Sequence, residues 1–461
     1  MTESEPATTQ LVPRHAGLFL LASVLFAVAV RGGPGVALAA LVATSMLAWS
    51  INSARVTDEP RMDVTARRWE GRLLAVVVSF GLLGLLGWWP SAISPTTAAL
   101  DRLPNLAWIG LGAVTYLKGT RKTRAIRLGV VAVTVIFTAL VGLAHLSVEG
   151  PKLDVYFLHI EAAGAIADGQ NPYTDAVQVP NGAPTAQPGE MITGYPYPPV
   201  TAVSYSLGYW AFSDPRFTSL IAWVLMLTVF GVHAVRARND RALYVMLIMA
   251  AIPGWPAVLR AGWTEPLSLS LIGYSYLTWR RANVSASFMG LALASKQYFA
   301  VAAPLLLVYR GRDRTRRLVL AALAIIATVG TGLLMDATAF LGSAVELHLS
   351  IPPRADSANL IGLFSSLGLQ WNPPALLTVG VGLLTAIWAG RLAGDRKVFA
   401  QAMALTLGAS FLVSSQAVSN YWFLVTGVCV ISLLGEGDDS PIDSTRARES
   451  GAVLTTDLDD A

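Results

Sequence analysis

Long apolar runs separated by short, arginine-bearing polar stretches dominate this chain. The first run, Ala16–Val30, is followed almost at once by Val36–Ile51. Gly32-Gly33-Pro34-Gly35 between them has the chemistry of a tight turn, so the two runs read as a helical hairpin. A cleaved signal peptide fits less well, because no clean small-residue cleavage site follows the first run. Further apolar runs cover Leu73–Trp89, Leu106–Leu117, Leu128–Leu146, Phe217–Val235, Leu243–Leu259, Pro266–Trp279, Val284–Ala294, Tyr298–Tyr309, Leu318–Leu334, Ala375–Ala389, Phe399–Val413 and Ala417–Leu434. Several fall short of the roughly 20 residues a helix needs to cross hydrocarbon, so they must extend into their flanks, tilt, or dip in and return. The pattern predicts an all-α polytopic membrane protein with about 14 (12–14) transmembrane helices.

Basic residues give the orientation. With the N-terminus cytoplasmic, 26 of the 33 Lys and Arg residues fall on the cytoplasmic side. Only Arg31, Arg102, Lys152, Arg216, Arg260 and Arg354 lie outside, and Lys296 alone sits within an apolar stretch. Both ends of Val284–Tyr309 are basic, so that stretch must enter and come back, turning near Ser295-Lys296-Gln297. Ser204–Phe212 reads as a short dip or interfacial helix, since a full crossing would put Arg236–Arg241 outside. The expected organisation is a polar cytoplasmic N-terminus (1–15), N-terminal transmembrane helices (16–127), a transmembrane unit (128–434) carrying one long outer loop (147–199), and an acidic, disordered cytoplasmic tail (435–461).

Composition agrees. AVILMFWYC residues make up 54% and charged residues only 13%, against about 25% in ordinary globular domains. Disorder and nucleic-acid binding are excluded as whole-chain descriptions, and a formal charge of +4 is too small to imply a polyanionic partner. A single cysteine, Cys429, excludes an intrachain disulfide and a cysteine-based metal site.

The outer loop is no generic linker. It opens Lys152-Leu-Asp154-Val-Tyr156, and apolar residues at 157, 160, 163, 164 and 167 then make one face of a helix suited to the membrane surface. Asp168-Gly169-Gln-Asn171-Pro172-Tyr173 ends it. A Pro/Gly/Gln-rich flap, Val179–Gly189, follows, and the chain returns through Tyr195-Pro-Tyr197-Pro-Pro199. A carboxylate straight after a membrane helix is unusual. Asp154 fits an N-cap of the surface helix. It also fits a general base at the lipid–water boundary, where desolvation raises a carboxyl pKa toward the working range.

Asp154-x-Tyr156, the helix ending Gly169-x-Asn171-Pro172-Tyr173, and Tyr195-Pro-Tyr197-Pro-Pro199 together resemble the first outer loop of GT-C membrane glycosyltransferases. The nearest likeness is to the polyprenol-phosphate-mannose-dependent type of actinobacteria, the GT87-like group. Gly262-Trp263-Thr264-Glu265, Leu293-Ala-Ser295-Lys296, Asn359-Leu-Ile-Gly362 and Ser414-Ser415-Gln416 to Asn420-Tyr421 follow in the family's order. Gln297 stands where the family usually has proline, and Asn420-Tyr421 where it usually has histidine. The resemblance implies a GT-C fold and inverting transfer of a sugar, mannose by analogy, from a polyprenyl-phosphate carrier to a hydroxyl of a cell-envelope glycolipid or glycan. The site would face the extracytoplasmic side of the plasma membrane, with both termini cytoplasmic. Asp154 would take the position of the catalytic aspartate.

Such a donor leaves as a polyprenyl phosphate, and a cation near the outer face would stabilise its charge. Lys296, Arg260 and Arg354 are the candidates, with Lys152 a further outer cation. Lys296 leads, because an isolated lysine in apolar sequence is costly and functional by default; the alternative is snorkelling to the interface. Glu265 sits where a carboxylate complements a helix dipole, and otherwise would bind sugar hydroxyls or position Arg260. Tyr156, Tyr195, Tyr197, Trp263, Asn359 and Asn420 complete the expected sugar- and acceptor-binding set, although interfacial aromatic belts also account for such tyrosines and tryptophans. His159 and His348 have no metal-ligand partner at useful spacing, and neither a divalent metal nor another cofactor is expected. The competing readings are a multi-pass lipid or sugar transporter or flippase, and a non-catalytic relative that binds polyprenyl lipid. Transporters usually carry paired repeats, and the two halves of this chain show none.

Overall fold

The structure is a computed structural model that describes residues 21–26, 28, 37–53, 66–85, 95–118, 123–147, 153–174, 176–178, 191–311, 313–350, 353–354 and 357–434. The polar N-terminus, the Gly32–Gly35 turn, Lys152, the Val179–Gly189 flap and the acidic tail lie outside the described residues.

The described chain is helical throughout, apart from a small antiparallel pair, Ala176–Gln178 with Met191–Thr193. That pair, which the sequence pattern did not predict, ties together the two ends of the flap. Three described helices are long and apolar enough to cross a membrane: Arg124–Ser147, Arg216–Arg236 and Arg314–Ser350. The other apolar runs form shorter helices, such as Ala282–Leu293, Ala375–Gly390 and Ser419–Ser432. Turn residues cut some runs. Leu243–Leu259 is divided into Asp240–Ala250 and Trp255–Arg260, because Gly254 takes a positive φ of 82°.

Side-chain caps set several helix starts. Asn239 accepts from the Ala242 N–H (3.0 Å) and Asp395 from the Val398 N–H (2.8 Å). Within Arg314–Leu341 the helical ladder opens at Asp336, whose φ of −165° and ψ of 104° are extended. The Asp336 carboxylate accepts from the Ala339 N–H (3.0 Å), so the chain restarts as a newly capped helix that runs on through a π-turn at Gly342–Glu346 to Ser350.

Glu265–Leu277 is the central helix, packed against Arg216–Arg236, Ala282–Leu293 and Ser419–Ser432. Arg396–Leu412 lies between Ala375–Gly390 and Ser419–Ser432 and also carries Ala37–Ser53. Trp223, Phe230, Phe399, Phe411 and Trp422 fill the core. Apolar residues also cover the outside: Leu323, Ile326, Leu333 and Leu334 of Arg314–Leu341, and Val133, Ile136 and Leu140 of Arg124–Ser147, are exposed.

Candidate functional site

The segment from Ala282 to Tyr309 leaves and returns. Its two ends meet through Trp279 and Tyr309, whose rings are 5.7 Å apart. Ala282–Leu293 ends at Ala294, Lys296 is extended (φ −152°, ψ 141°), and a 3-10 turn Gln297–Ala302 starts the way back. Lys296 therefore sits at the tip, as the charge pattern predicts. Hydroxyl groups pin the tip: Ser295 Oγ is 2.7 Å from Ser268 Oγ, and the Thr201 hydroxyl donates to the Ser295 carbonyl.

At that tip the Lys296 ammonium donates to Glu265 Oε1 at 2.5 Å. Asn420 Nδ2 (2.8 Å) and the Tyr298 hydroxyl (3.3 Å) donate to the same oxygen. Glu265 is 0% exposed, Asn420 3% and Lys296 4%. The rings of Tyr298, Tyr197 and Tyr421 surround the ammonium, with centroids 5.1, 5.3 and 5.6 Å from Nζ, each within cation–π range. Two buried oxygens of this group have no hydrogen-bond partner among the described residues, Glu265 Oε2 and Asn420 Oδ1. Glu265 thus pairs with Lys296, 31 residues along, and not with Arg260.

Asp154 is near enough to Tyr197 for its charge to act on the phenol. It is the first residue of the helix Asp154–Ala167, with Leu153 in the cap position that the sequence assigned to the acid. Its Oδ1 accepts from the Val155 N–H (2.8 Å), and its side chain is half-buried. Burial first, then the negative charges of Asp154 and Glu265, push the Tyr197 phenol well above its ordinary pKa, so Tyr197 stays neutral. Tyr156, one turn in from Leu153, lies under the Arg216 guanidinium (5.1 Å). Asp214 grips that guanidinium at 2.6 Å, and Arg216 also donates to the carbonyls of Leu146 (3.1 Å) and Arg260 (3.4 Å). Gly262 adopts a φ of +76° against Tyr156: a Cβ there would sit 3.5 Å from Tyr156 Cα. The Gly262–Glu265 turn is thereby seated on the start of the Asp154 helix.

His159 fastens the same corner. Its Nε2 donates to the Gly262 carbonyl (3.3 Å), which leaves Nδ1 to accept from the Tyr195 hydroxyl (2.8 Å). The imidazole stacks on Tyr205 at 3.9 Å and 11°. Burial pushes its pKa down to about 3, with Lys296 adding to the fall and the Gly262 bond opposing it, so the ring is neutral. The Tyr205 hydroxyl continues the chain to Ser219 Oγ (2.5 Å) and the Trp263 carbonyl (3.2 Å). Above, Phe340 packs edge-on to Tyr173 (4.9 Å) and His348 Nε2 donates to the Pro196 carbonyl (3.1 Å). The restarted helix after Asp336 thus covers the returning loop.

The structure gathers Glu265, Lys296, Asn420 and Tyr197 into one cluster, with Asp154 and Tyr156 beside it. Asn359 instead caps the helix Leu360–Ser366: it accepts from the Gly362 N–H (3.2 Å) and donates to the Ser414 carbonyl (2.7 Å). Tyr195 is enclosed by His159, Tyr173 and Tyr197. Arg260 and Trp263 are buried in the turn before Glu265, and the Arg354 main chain donates to the Ser415 carbonyl (3.0 Å). Tyr298, Tyr421 and Arg216 join the site without having been singled out. The signal for the two tyrosines was their place next to a lone lysine and to Asn420. No group of three metal-ligating side chains occurs among the described residues.

The chain matches no family model, no curated protein and no solved structure.

Proposed function

We propose that this protein is an inverting membrane glycosyltransferase. It takes a sugar, mannose by the resemblance, from a polyprenyl-phosphate carrier and delivers it to a hydroxyl of a cell-envelope glycolipid or glycan. The many exposed large apolar side chains on the long helices support a bilayer as their partner, since extensive exposed apolar surface marks membrane or partner contact. In this reading the protein is a multi-pass plasma-membrane protein with both termini cytoplasmic and the site on the extracytoplasmic side.

One observation carries the proposal: the half-buried Asp154 carboxylate acts on the same Tyr197 phenol whose ring lies 5.3 Å from the buried Lys296 ammonium. Asp154 accepts the proton of the acceptor hydroxyl as that oxygen attacks the anomeric carbon. The bond from that carbon to the phosphate oxygen breaks with inversion, and the pair of electrons leaves with the polyprenyl phosphate. Lys296 meets the growing phosphate charge in a site that excludes water, where such a contact is worth most. Glu265 and Asn420 supply acceptors for sugar hydroxyls, and Arg260 and Arg354 add positive potential.

The test is transfer of radiolabelled mannose from polyprenyl-phosphate mannose in membranes carrying the Asp154→Asn protein. Transfer is abolished while membrane abundance is unchanged; retained transfer by well-expressed protein removes the base role. A carrier of lipid or sugar is the second reading, favoured by the buried Lys296–Glu265 pair, because ionisable pairs inside membrane bundles also mark transport pathways. It predicts probe movement across vesicles with no transfer product.

A further inference from the structure

Three helices run from the Lys296 cluster to the other end of the bundle: Glu265–Leu277, Ala282–Leu293 and Arg396–Leu412, whose Phe411 packs on Tyr298 (5.1 Å). At that far end three turns are tied together. The rings of Trp279, Tyr309 and Phe399 lie 5.3 to 5.7 Å from one another, and the Arg310 N–H donates to the Ala393 carbonyl (3.0 Å). The three turns, 278–282, 309–317 and 390–397, carry ten Lys and Arg residues against two acids, Asp313 and Asp395. Asp395 is already engaged as a helix cap, accepting from the Val398 N–H.

This positive charge is not answered within the described chain. Arg281, Arg310, Arg314, Arg316 and Arg391 are exposed, and their guanidinium groups have no hydrogen-bond or ion-pair partner among the described residues. Arg317, only 5% exposed, donates to Ser285 Oγ (2.9 Å) and to the Trp279 carbonyl and lies 4.1 Å over the Trp279 ring, with no carboxylate in ion-pair contact. At a different basic turn, by contrast, Arg127 meets Asp240 at 3.0 Å. The surroundings of the arginines say what kind of anion fits. Arg316, Val319, Leu323 and Ile326 follow one another in steps of three and four residues, so they share one face of the helix Arg314–Leu341. The three apolar members of that row are 49%, 54% and 65% exposed. A cation heads an open apolar row, which matches a molecule with a phosphate at one end and hydrocarbon behind it. A soluble phosphate or an acidic peptide leaves the row uncovered.

We propose that this end of the bundle is a binding surface for an acidic phospholipid, its phosphate held by the exposed arginines of the 309–317 turn and an acyl chain laid along Val319, Leu323 and Ile326. In the orientation proposed above the lipid belongs to the cytoplasmic leaflet, whose acidic headgroups attract basic segments. The proposal rests on the reading that the bundle sits in a bilayer and is independent of the transfer reaction.

Electron spin resonance of the full chain in phosphatidylcholine bilayers tests it, with phosphatidylglycerol or phosphatidylcholine spin-labelled on an acyl chain as the probe. Lipid touching the protein gives a motionally restricted component, and the two labels compared give relative affinity. Phosphatidylglycerol is expected to be favoured about fivefold for each arginine engaged in low salt, and less in high salt, where charges are screened. Arg314→Gln with Arg316→Gln removes most of that preference. The matched change at another basic turn, Arg236→Gln with Arg238→Gln, leaves it in place. No preference in the unaltered protein, or equal loss in both pairs of variants, overturns the site while the restricted component upholds the bilayer reading. Absence of any restricted component overturns both. sn-Glycerol 3-phosphate has the phosphate without the chains; if it abolishes the preference at millimolar concentration, the arginines serve a soluble phosphate and the lipid assignment fails. A preference that emerges only after Asp457, Asp459 and Asp460 are changed to Asn overturns it too, and gives the surface to the chain's own acidic tail.

Discussion

Replacing Lys296 by methionine strands the Glu265 carboxylate. That group is 0% exposed and keeps only Asn420 and Tyr298 as donors, both on Oε1. Breaking a buried pair by removing one partner costs about 3–5 kcal/mol, because an uncompensated charge stays in low dielectric. Removing both charges is a different matter: a neutral glutamine beside methionine leaves no charge to desolvate, and such replacements are often close to neutral. Lys296→Met alone should therefore lower stability by about 3 kcal/mol or more, and Lys296→Met with Glu265→Gln should recover most of that loss, with a coupling energy of about 2–4 kcal/mol. The measurement is reversible unfolding in mixed micelles by titration with SDS, followed by tryptophan fluorescence, for the parent, both single variants and the double variant. A single-variant cost below about 1 kcal/mol, or a double variant as unstable as the sum of the singles, would show that the pair is solvated and the burial argument wrong.

Other consequences can be checked independently. His159 is held near pKa 3 in the fold and returns to about 6.5 when unfolded, so the unfolded state binds the extra proton between those values. Stability should consequently fall as pH drops from 6.5 toward 3, by up to about 1.4 kcal/mol per unit, and a His159→Phe protein should lack that component in unfolding measured across the range. Gly194 has a φ of +76°, and a Cβ there would lie 2.2 Å from the Tyr173 carbonyl oxygen. Gly194→Ala should cost about 1–3 kcal/mol and open the outer loop to proteolysis, whereas Gly169→Ala, with nothing within 4 Å of its Cβ, should not expose the Tyr173 region. Because Cys429 is buried, engineered cysteines can report topology: Gly182→Cys should react with an impermeant maleimide from outside intact cells and Thr315→Cys should not.

The sequence pattern located helices better than it located partners. Leu128–Leu146 and Phe217–Val235 match Arg124–Ser147 and Arg216–Arg236 within a few residues, because an apolar run of that length has little choice but a helix. The return at Lys296 was equally readable, since basic residues at both ends of one apolar stretch demand it. Chain breaks inside Leu243–Leu259 and at Asp336 were harder: a glycine or an acid in an apolar run signals a break only when its backbone angles are known. Partners over long separations were not readable at all. Asn420 reaches Glu265 across 155 residues and His159 reaches Gly262 across 103. Nothing local in either segment encodes those contacts, and so the sequence offered Glu265 a helix-dipole role, sugar hydroxyls or the nearby Arg260, but not Asn420 or Lys296. Asn359 was read for ligand binding alone, although its place before Leu360 also described the helix cap that the structure shows.

The break at Asp336 also bears on how the molecule would meet bilayers of differing thickness. The 22 residues from Arg314 to Met335 can span about 33 Å at the rise of an α-helix, and the joint after them is free of a continuous hydrogen-bond ladder. In the proposed membrane setting, a thinner bilayer would tilt the half before the joint. The half beyond the joint stays clamped to the tyrosines of the returning loop by Phe340 and His348. Lipid composition can then vary without twisting the tyrosine corner to which that half is fastened, a suspension rather than a rigid strut.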